Sequence, residues 1–320
     1  MPRTVPAVRA AILRKFHATP ECGEFDEPEA GPGQAVVEVA AAAVHHLDLH
    51  KATGTFYMGP PPLPSVVGTD GVGRLGDGRR VYFDACAAPY GSMAERALVD
   101  AEAVFDVPDD IDDATAAALG NTGIGSWLAV SWRSGLQPGE TVLVLGATGA
   151  VGSLAVQAAK VLGAGRVVAA GLADDRLRGA LERGADAIVE LDGVDDLTEA
   201  FKEAAGGEVD VTIDALWGEP AVAAMKAAAR WARHVQVGQV AGLEIALPAP
   251  LIRSASLDVR GFSIAHPPIE VRREGYAALT RHVARGDIAV DRETFPLEAV
   301  GDAWERQRKA AGGGKLVLVP

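Results

Sequence analysis

Three of the chain's seven histidines fall within six positions of AAVHHLDLH, as His45, His46 and His50. Such a cluster can ligate a metal, move protons or hydrogen-bond a substrate, and loop imidazoles satisfied by backbone or water need do none of these. A second chemical signal is ATGAVG at 147–152. It has the form of a phosphate-binding glycine turn: Gly149 lets the backbone approach a pyrophosphate, and Gly152 lets the helix pack on the strand. Ala147 stands where the fingerprint has its first glycine, and Thr148, Ala150 and Val151 complete the turn. The helix that follows supplies unpaired N–H groups and a dipole that favours anions.

These residues need elements to position them. TVLVLG (141–146) is a fully apolar strand, followed by AVGSLAVQAAKVLGA as a helix that stops at Gly163. RVVAAG, the helix DDRLRGALERGA, the strand AIVEL, VDVTIDAL, a helix from Pro220 to about Arg230 and HVQVGQV continue the alternation. Buried strands alternating with helices predict an α/β domain with a doubly wound parallel sheet. Before residue 117 the chain reads as β-rich: QAVVEVAAAAV is strand-like and VGTDGVGRLGDGRRVYF alternates apolar segments with glycine turns. PPPLP must be an extended loop. DDATAAALGNTGIGSWLAVSW is Ala-rich and helical in period, with Asp112 and Asp113 where carboxylates favour the helix dipole.

Cofactor choice is read at the tip of the second Rossmann strand, where an NAD site places a carboxylate on the ribose 2′-OH. Gly171 ends that strand, and Arg176 lies close enough in sequence to meet a 2′-phosphate. NADPH is therefore expected, with NADH possible, because Asp174 and Asp175 intervene and all three residues also read as an ordinary charged helical turn.

The net charge of −13 opposes nucleic-acid binding, which depends on neutralising phosphates. Apolar runs are too short for a membrane span, no secretory signal is evident, and two cysteines cannot build a disulfide framework. A cytoplasmic protein acting on small molecules is expected.

The chain resembles the medium-chain dehydrogenase/reductase superfamily, especially its zinc-independent quinone oxidoreductase branch. The resemblance runs through AVHHLDLHKATG, LPSVVGTDGVG, GSMAERALV, NTGIGS, GATGAVGSLAVQAAKVLGA and FPLEAVGDAWERQRKAAGGGKLVLVP. It implies a discontinuous GroES-like catalytic domain (1–117 and 264–320) around a Rossmann domain (118–263), an active site in the cleft between them, and a homodimer. Zinc-dependent alcohol dehydrogenases carry a Cys at the position of His45, a His-Glu pair at Thr69-Asp70 and a third ligand at about Ala118. One imidazole with Asp70 and no thiolate is a poor catalytic zinc site, so no metal is expected. The resemblance gives His45 the role of an Asn that hydrogen-bonds near the nicotinamide, and His46 that of an Arg on the pyrophosphate. Leu47 replaces the hydroxyl that begins the proton relay ending at His50. Thr122, beside Asn121, matches a residue at the nicotinamide carboxamide, and Gly238 and Gln239 match backbone contacts to that ring. Tyr57, His45 and Asn121 are the expected catalytic residues, with Tyr57 and Trp127 as aromatic walls. The implied reaction is NADPH-dependent hydride transfer to a quinone or conjugated carbonyl. The alternatives are a zinc alcohol dehydrogenase and a non-catalytic NADPH sensor.

Overall fold

The computed structural model describes residues 6–56, 59–309 and 314–320. In chain order its elements begin with strands β1 (Ala7–Leu13), β2 (Glu21–Asp26) and β3 (Gln34–Ala43), helix α1 (His46–Lys51), and strands β4 (Ser65–Val66), β5 (Gly71–Leu75), β6 (Arg80–Phe83), β7 (Arg96–Asp100) and β8 (Val104–Asp106). Helices α2 (Asp113–Ala118) and α3 (Asn121–Leu128) lead to β9 (Thr141–Leu145), α4 (Ala150–Val161), β10 (Arg166–Gly171), α5 (Asp175–Glu182), β11 (Ala187–Glu190), α6 (Leu197–Ala205) and β12 (Val209–Asp214). The chain closes with α7 (Gly218–Lys226), β13 (Ala228–Gln236), α8 (Ala249–Ala255), β14 (Asp258–Gly261), α9 (Ile269–Ala284), β15 (Arg292–Pro296), α10 (Val300–Arg308) and β16 (Lys315–Val319).

Two compact units share these elements. One holds residues 1–121, 276–284 and 290–320; the other holds 122–275 and 285–289. The second unit contains a six-stranded, all-parallel sheet in the order β11-β10-β9-β12-β13-β14. The order reverses between β9 and β12, as in a doubly wound Rossmann sheet, and ligands bind such sheets beyond the strand ends at that reversal. Val142 to Leu145 of β9 are fully buried, as a central strand covered on both faces requires. Asp174 caps α5 and Asp196 caps α6 by accepting backbone N–H groups of the first turn.

The first unit is GroES-like and discontinuous. Its main sheet runs β15-β16-β3-β5-β6-β8, with β7 also on β3. The C-terminal strand β16 pairs antiparallel with the end of β3, Val317 opposite Ala43 and Leu318 opposite Ala42. Leu13, Phe83, Met93 and Trp304 anchor the core of this unit.

Two expected helices are shorter in the structure. The run from Asp112 breaks at Gly120, where an added Cβ would lie 2.3 Å from the Tyr82 ring and 2.4 Å from Asp70. The helix from Pro220 ends at Lys226, because Ala228 already pairs with Val209. Among the described residues no helix is long and apolar enough to cross a membrane.

Candidate active site

Asp70, at the entrance to β5, is fully buried and gathers partners from distant segments. Its Oδ1 lies 2.5 Å from Nε2 of His45. Its Oδ2 accepts the Tyr82 hydroxyl at 3.0 Å and the Asn121 backbone N–H at 2.6 Å. Beyond the imidazole, Nζ of Lys315 lies 2.7 Å from His45 Nδ1. His45 and Lys315 are only 5% and 7% exposed. An ammonium can only donate, so with Lys315 charged Nδ1 accepts and the ring proton sits on Nε2, pointing at Asp70.

Strand pairing explains this meeting. β3 runs into Val44 and His45, and the Val44 N–H donates to the Leu316 carbonyl at 2.9 Å, which brings the start of β16 alongside. Gly120, lacking a Cβ, lets the turn into α3 approach Asp70. Asp48 braces the other end: its Oδ2 accepts the His45 backbone N–H at 2.8 Å and its Oδ1 the Thr69 hydroxyl at 2.6 Å. Asp48 and Thr69 thus hold the backbone that carries His45 and Asp70.

The charges are interdependent. Burial alone would push the Asp70 carboxyl up, yet His45, the Asn121 N–H and Lys315 hold it below the usual carboxylate value. Burial pushes the Lys315 ammonium down to about 8, against the pull of Asp70 and Asp48. Burial and the Asp70 charge push the Tyr82 hydroxyl well up, so it remains a donor.

Among the expected catalytic residues, the structure joins His45 to Asn121 through Asp70, and Tyr57 lies outside the described residues. Both ring nitrogens of His45 are engaged within the protein, which differs from an imidazole edge offered directly to a substrate. His46 and His50 are exposed on α1. The His46 imidazole is held below its usual value by desolvation, then by the charge of Lys315 and the neighbouring imidazoles. A separate cavity of about 380 Å³ is lined by Asp48, Lys51, Thr69 and Cys86, among others, but not by His45, Asp70 or Lys315.

In the second unit, the glycine turn joins β9 to α4. Ala147 is buried with its N–H on the Ala170 carbonyl, and Gly149 is the helix N-cap. No side chain caps α4, so the opening N–H groups around Ala150 and Val151 suit a phosphate. A Cβ on Gly149 would meet only the Gly146 carbonyl, at 3.5 Å, whereas one on Gly152 would strike that carbonyl at 2.2 Å. Gly152 is thus fixed by helix packing, and Gly149 leaves space a dinucleotide can use. Thr148 packs over Gly171, where a Cβ would lie 2.8 Å from its methyl. Gly171 is therefore also required by packing. Arg176 forms an ion pair with Asp174 at 2.6 Å, so its guanidinium is shared with the α5 cap. Gly238 packs against the Ala215 carbonyl, Gln239 is exposed, and Thr122 is buried in the first turn of α3.

Sequence reasoning missed Lys315 and Tyr82. A single cation opening the otherwise apolar strand KLVLV was the available signal for Lys315; nothing local marked Tyr82.

A Rossmann sheet with a glycine turn after β9, carried with a discontinuous GroES-like unit, is an oxidoreductase architecture. The family described as zinc-binding dehydrogenase matches residues 150–281. An alcohol dehydrogenase of Geobacillus stearothermophilus is 29% identical, covering 97% of this chain and 99% of its own. Quinone oxidoreductase-like protein 2 of Mus musculus is 27% identical over 97% of this chain and 91% of its own. The crystal structure of Escherichia coli quinone oxidoreductase complexed with NADPH superposes with a TM-score of 0.86 at 24% identity, over 98% of this chain and 100% of its own, and supports the fold. These matches support the medium-chain dehydrogenase/reductase superfamily, in its quinone oxidoreductase-like branch. The protein is an oxidoreductase.

Proposed function

We propose that this protein is a zinc-independent, NADPH-dependent reductase that delivers hydride to a quinone or a conjugated carbonyl. The observation that carries the proposal is the closed Lys315–His45–Asp70 chain, in which His45 and Asp70 stand where zinc-dependent relatives are expected to place the metal site. That donor set does not fit a catalytic zinc. It offers one imidazole with both nitrogens engaged, a carboxylate with three protein donors, a methyl group at Ala118 and no thiolate. Among the described residues no group of three or more His, Cys, Asp or Glu is arranged to hold a metal.

The reduced dinucleotide, when bound, supplies the hydride. The chain's own residues bind and orient it. The α4 amides and Gly149 take the pyrophosphate, and Thr122, Gly238 and Gln239 hold the nicotinamide end. Arg176 meets the 2′-phosphate by exchanging Asp174 for the ligand, and that exchange keeps NADH within reach as a weaker donor. An acceptor activated by conjugation needs less polarisation than a plain carbonyl, which suits a site without a Lewis acid. The protein acts in the cytoplasm as a homodimer.

The deciding experiment is steady-state oxidation of NADPH with 1,2-naphthoquinone and with a conjugated enone. Turnover of either supports the reductase. Cofactor binding without turnover of any acceptor favours a sensor instead.

A further inference from the structure

We propose that the buried pair His234–Asp214 positions the nicotinamide half of the dinucleotide by fixing the two loops that follow β12 and β13. The inference rests on the reductase reading above and lies wholly within the second unit. Both residues act through the backbone they hold, so they are positioning residues.

Asp214, the last residue of β12, is fully buried and gathers both loops. Its Oδ1 accepts the N–H groups of Leu216 and Trp217 at 2.8 and 2.9 Å. Its backbone carbonyl accepts those of Val237 and Gly238 at 2.7 and 3.1 Å. Its Oδ2 lies 2.8 Å from Nε2 of His234, a residue only 1% exposed. A carboxylate can only accept, so this ring nitrogen carries the proton. The other, Nδ1, is buried with no hydrogen-bond partner among the described residues.

Folding alone does not call for this arrangement. A buried nitrogen without a partner is destabilising, and replacing a buried polar pair by apolar side chains is often neutral or stabilising. Trp217 adds a second liability. Its φ of 60° and ψ of −157° suit glycine and strain a tryptophan. The Asp214 carboxylate holds its N–H, and its indole lies edge-on to the His234 ring, with centroids 6.1 Å apart. Backbone strain of this kind concentrates where a ligand needs the shape it maintains.

The loops lie at the strand reversal. Leu216 packs on Gly146, just before the phosphate turn, where a Cβ would come within 3.1 Å of its side chain. Gly238 packs on the Ala215 carbonyl, which a Cβ would meet at 2.5 Å. β10 and β12 flank β9 on opposite sides. With the adenosine half at the tip of β10, beside Gly171 and Arg176, the nicotinamide half continues from the pyrophosphate over the ends of β12 and β13.

The test sets a dinucleotide against its adenosine half alone: NADPH against 2′,5′-ADP, or NADH against AMP. Calorimetric titration is run on wild type, His234→Leu and His234→Gln, with thermal unfolding as the check on folding. His234→Leu removes the donor to Asp214 and should bind the dinucleotide about 10-fold more weakly, the weight of one hydrogen bond. The adenosine half should keep its affinity within about twofold, since it never reaches these loops. His234→Gln returns an N–H to Asp214 and should recover most of the loss. A folded His234→Leu that binds the dinucleotide like wild type, or loses both ligands alike, overturns this proposal and leaves the reductase standing. So does a His234→Gln that binds no better than His234→Leu. Wild type that binds neither NADPH nor NADH overturns both readings. Nitrogen NMR of wild type covers a leucine variant that fails to fold. The His234 Nε2–H signal, assigned by its absence in His234→Gln, should shift on adding the dinucleotide and hold on adding the adenosine half. A signal that ignores the dinucleotide overturns the proposal.

Discussion

Lys315 and His45, 270 positions apart in sequence, meet at 2.7 Å inside one folded unit, and Asp70 completes the line at 2.5 Å on the other side of the ring. One cation, one imidazole and one carboxylate thus form a neutral, buried set, and changing any member exposes the charge of the others.

Asp70→Asn takes from that cation the first of its two counter-charges and leaves Asp48 alone. Removing one partner of a buried ion pair costs about 3–5 kcal/mol, so urea unfolding at neutral pH should show a loss of about 3 kcal/mol or more. Because the folded carboxyl is held below its usual value, its contribution is present above the unfolded carboxyl value near 4 and is lost as pH falls toward the folded one. The gap between wild type and variant should therefore close in acid. A gap that does not change with pH would show that Asp70 contributes no charge pairing.

The two glycines of the phosphate turn should separate binding from folding. Gly149→Val has room in the protein and should unfold like wild type while losing NADPH binding. Gly152→Val drives its side chain into the Gly146 carbonyl and should lower the melting temperature as well. Unchanged NADPH affinity in a folded Gly149→Val would place the cofactor elsewhere.

Arg176→Ala should weaken NADPH by about 1.5–3 kcal/mol, as expected for a hydrogen bond to a charged group, and NADH far less. Calorimetric titration of both cofactors checks this. Equal losses, or tighter wild-type binding of NADH, would leave Arg176 as the partner of Asp174 alone.

Purified protein should carry no stoichiometric zinc by elemental analysis, and its reductase activity should survive chelators. Simple alcohols should be poor substrates. One zinc per chain, with activity lost on its removal, would return His45 to the role of ligand.

The second unit was the more legible in sequence, since apolar strands, helix caps and glycine turns announce themselves locally. TVLVL, the turn at Gly149 and the alternation through β13 follow from residues adjacent in the chain. Within the site, His45 was visible as part of a histidine cluster, but its bonding was not. Both partners of its ring arrive from far along the chain, and only the β3–β16 pairing brings Lys315 to it. The break at Gly120 was hidden for the same reason, because the residues that forbid a Cβ there, Tyr82 and Asp70, come from distant stretches of chain.

The sharing of Asp70 has a consequence for descent. His45, Tyr82, Asn121 and Lys315 reach this cluster from four separate stretches of chain. A lone substitution that strands a buried charge removes about 3–5 kcal/mol from a fold whose whole margin is of the order of 5–15 kcal/mol. These positions are therefore poorly placed to drift one at a time. A lineage passing between a metal-bound and a metal-free ancestor would have to exchange the residues at 45, 70 and 315 nearly together, and covariation among the three should mark that passage.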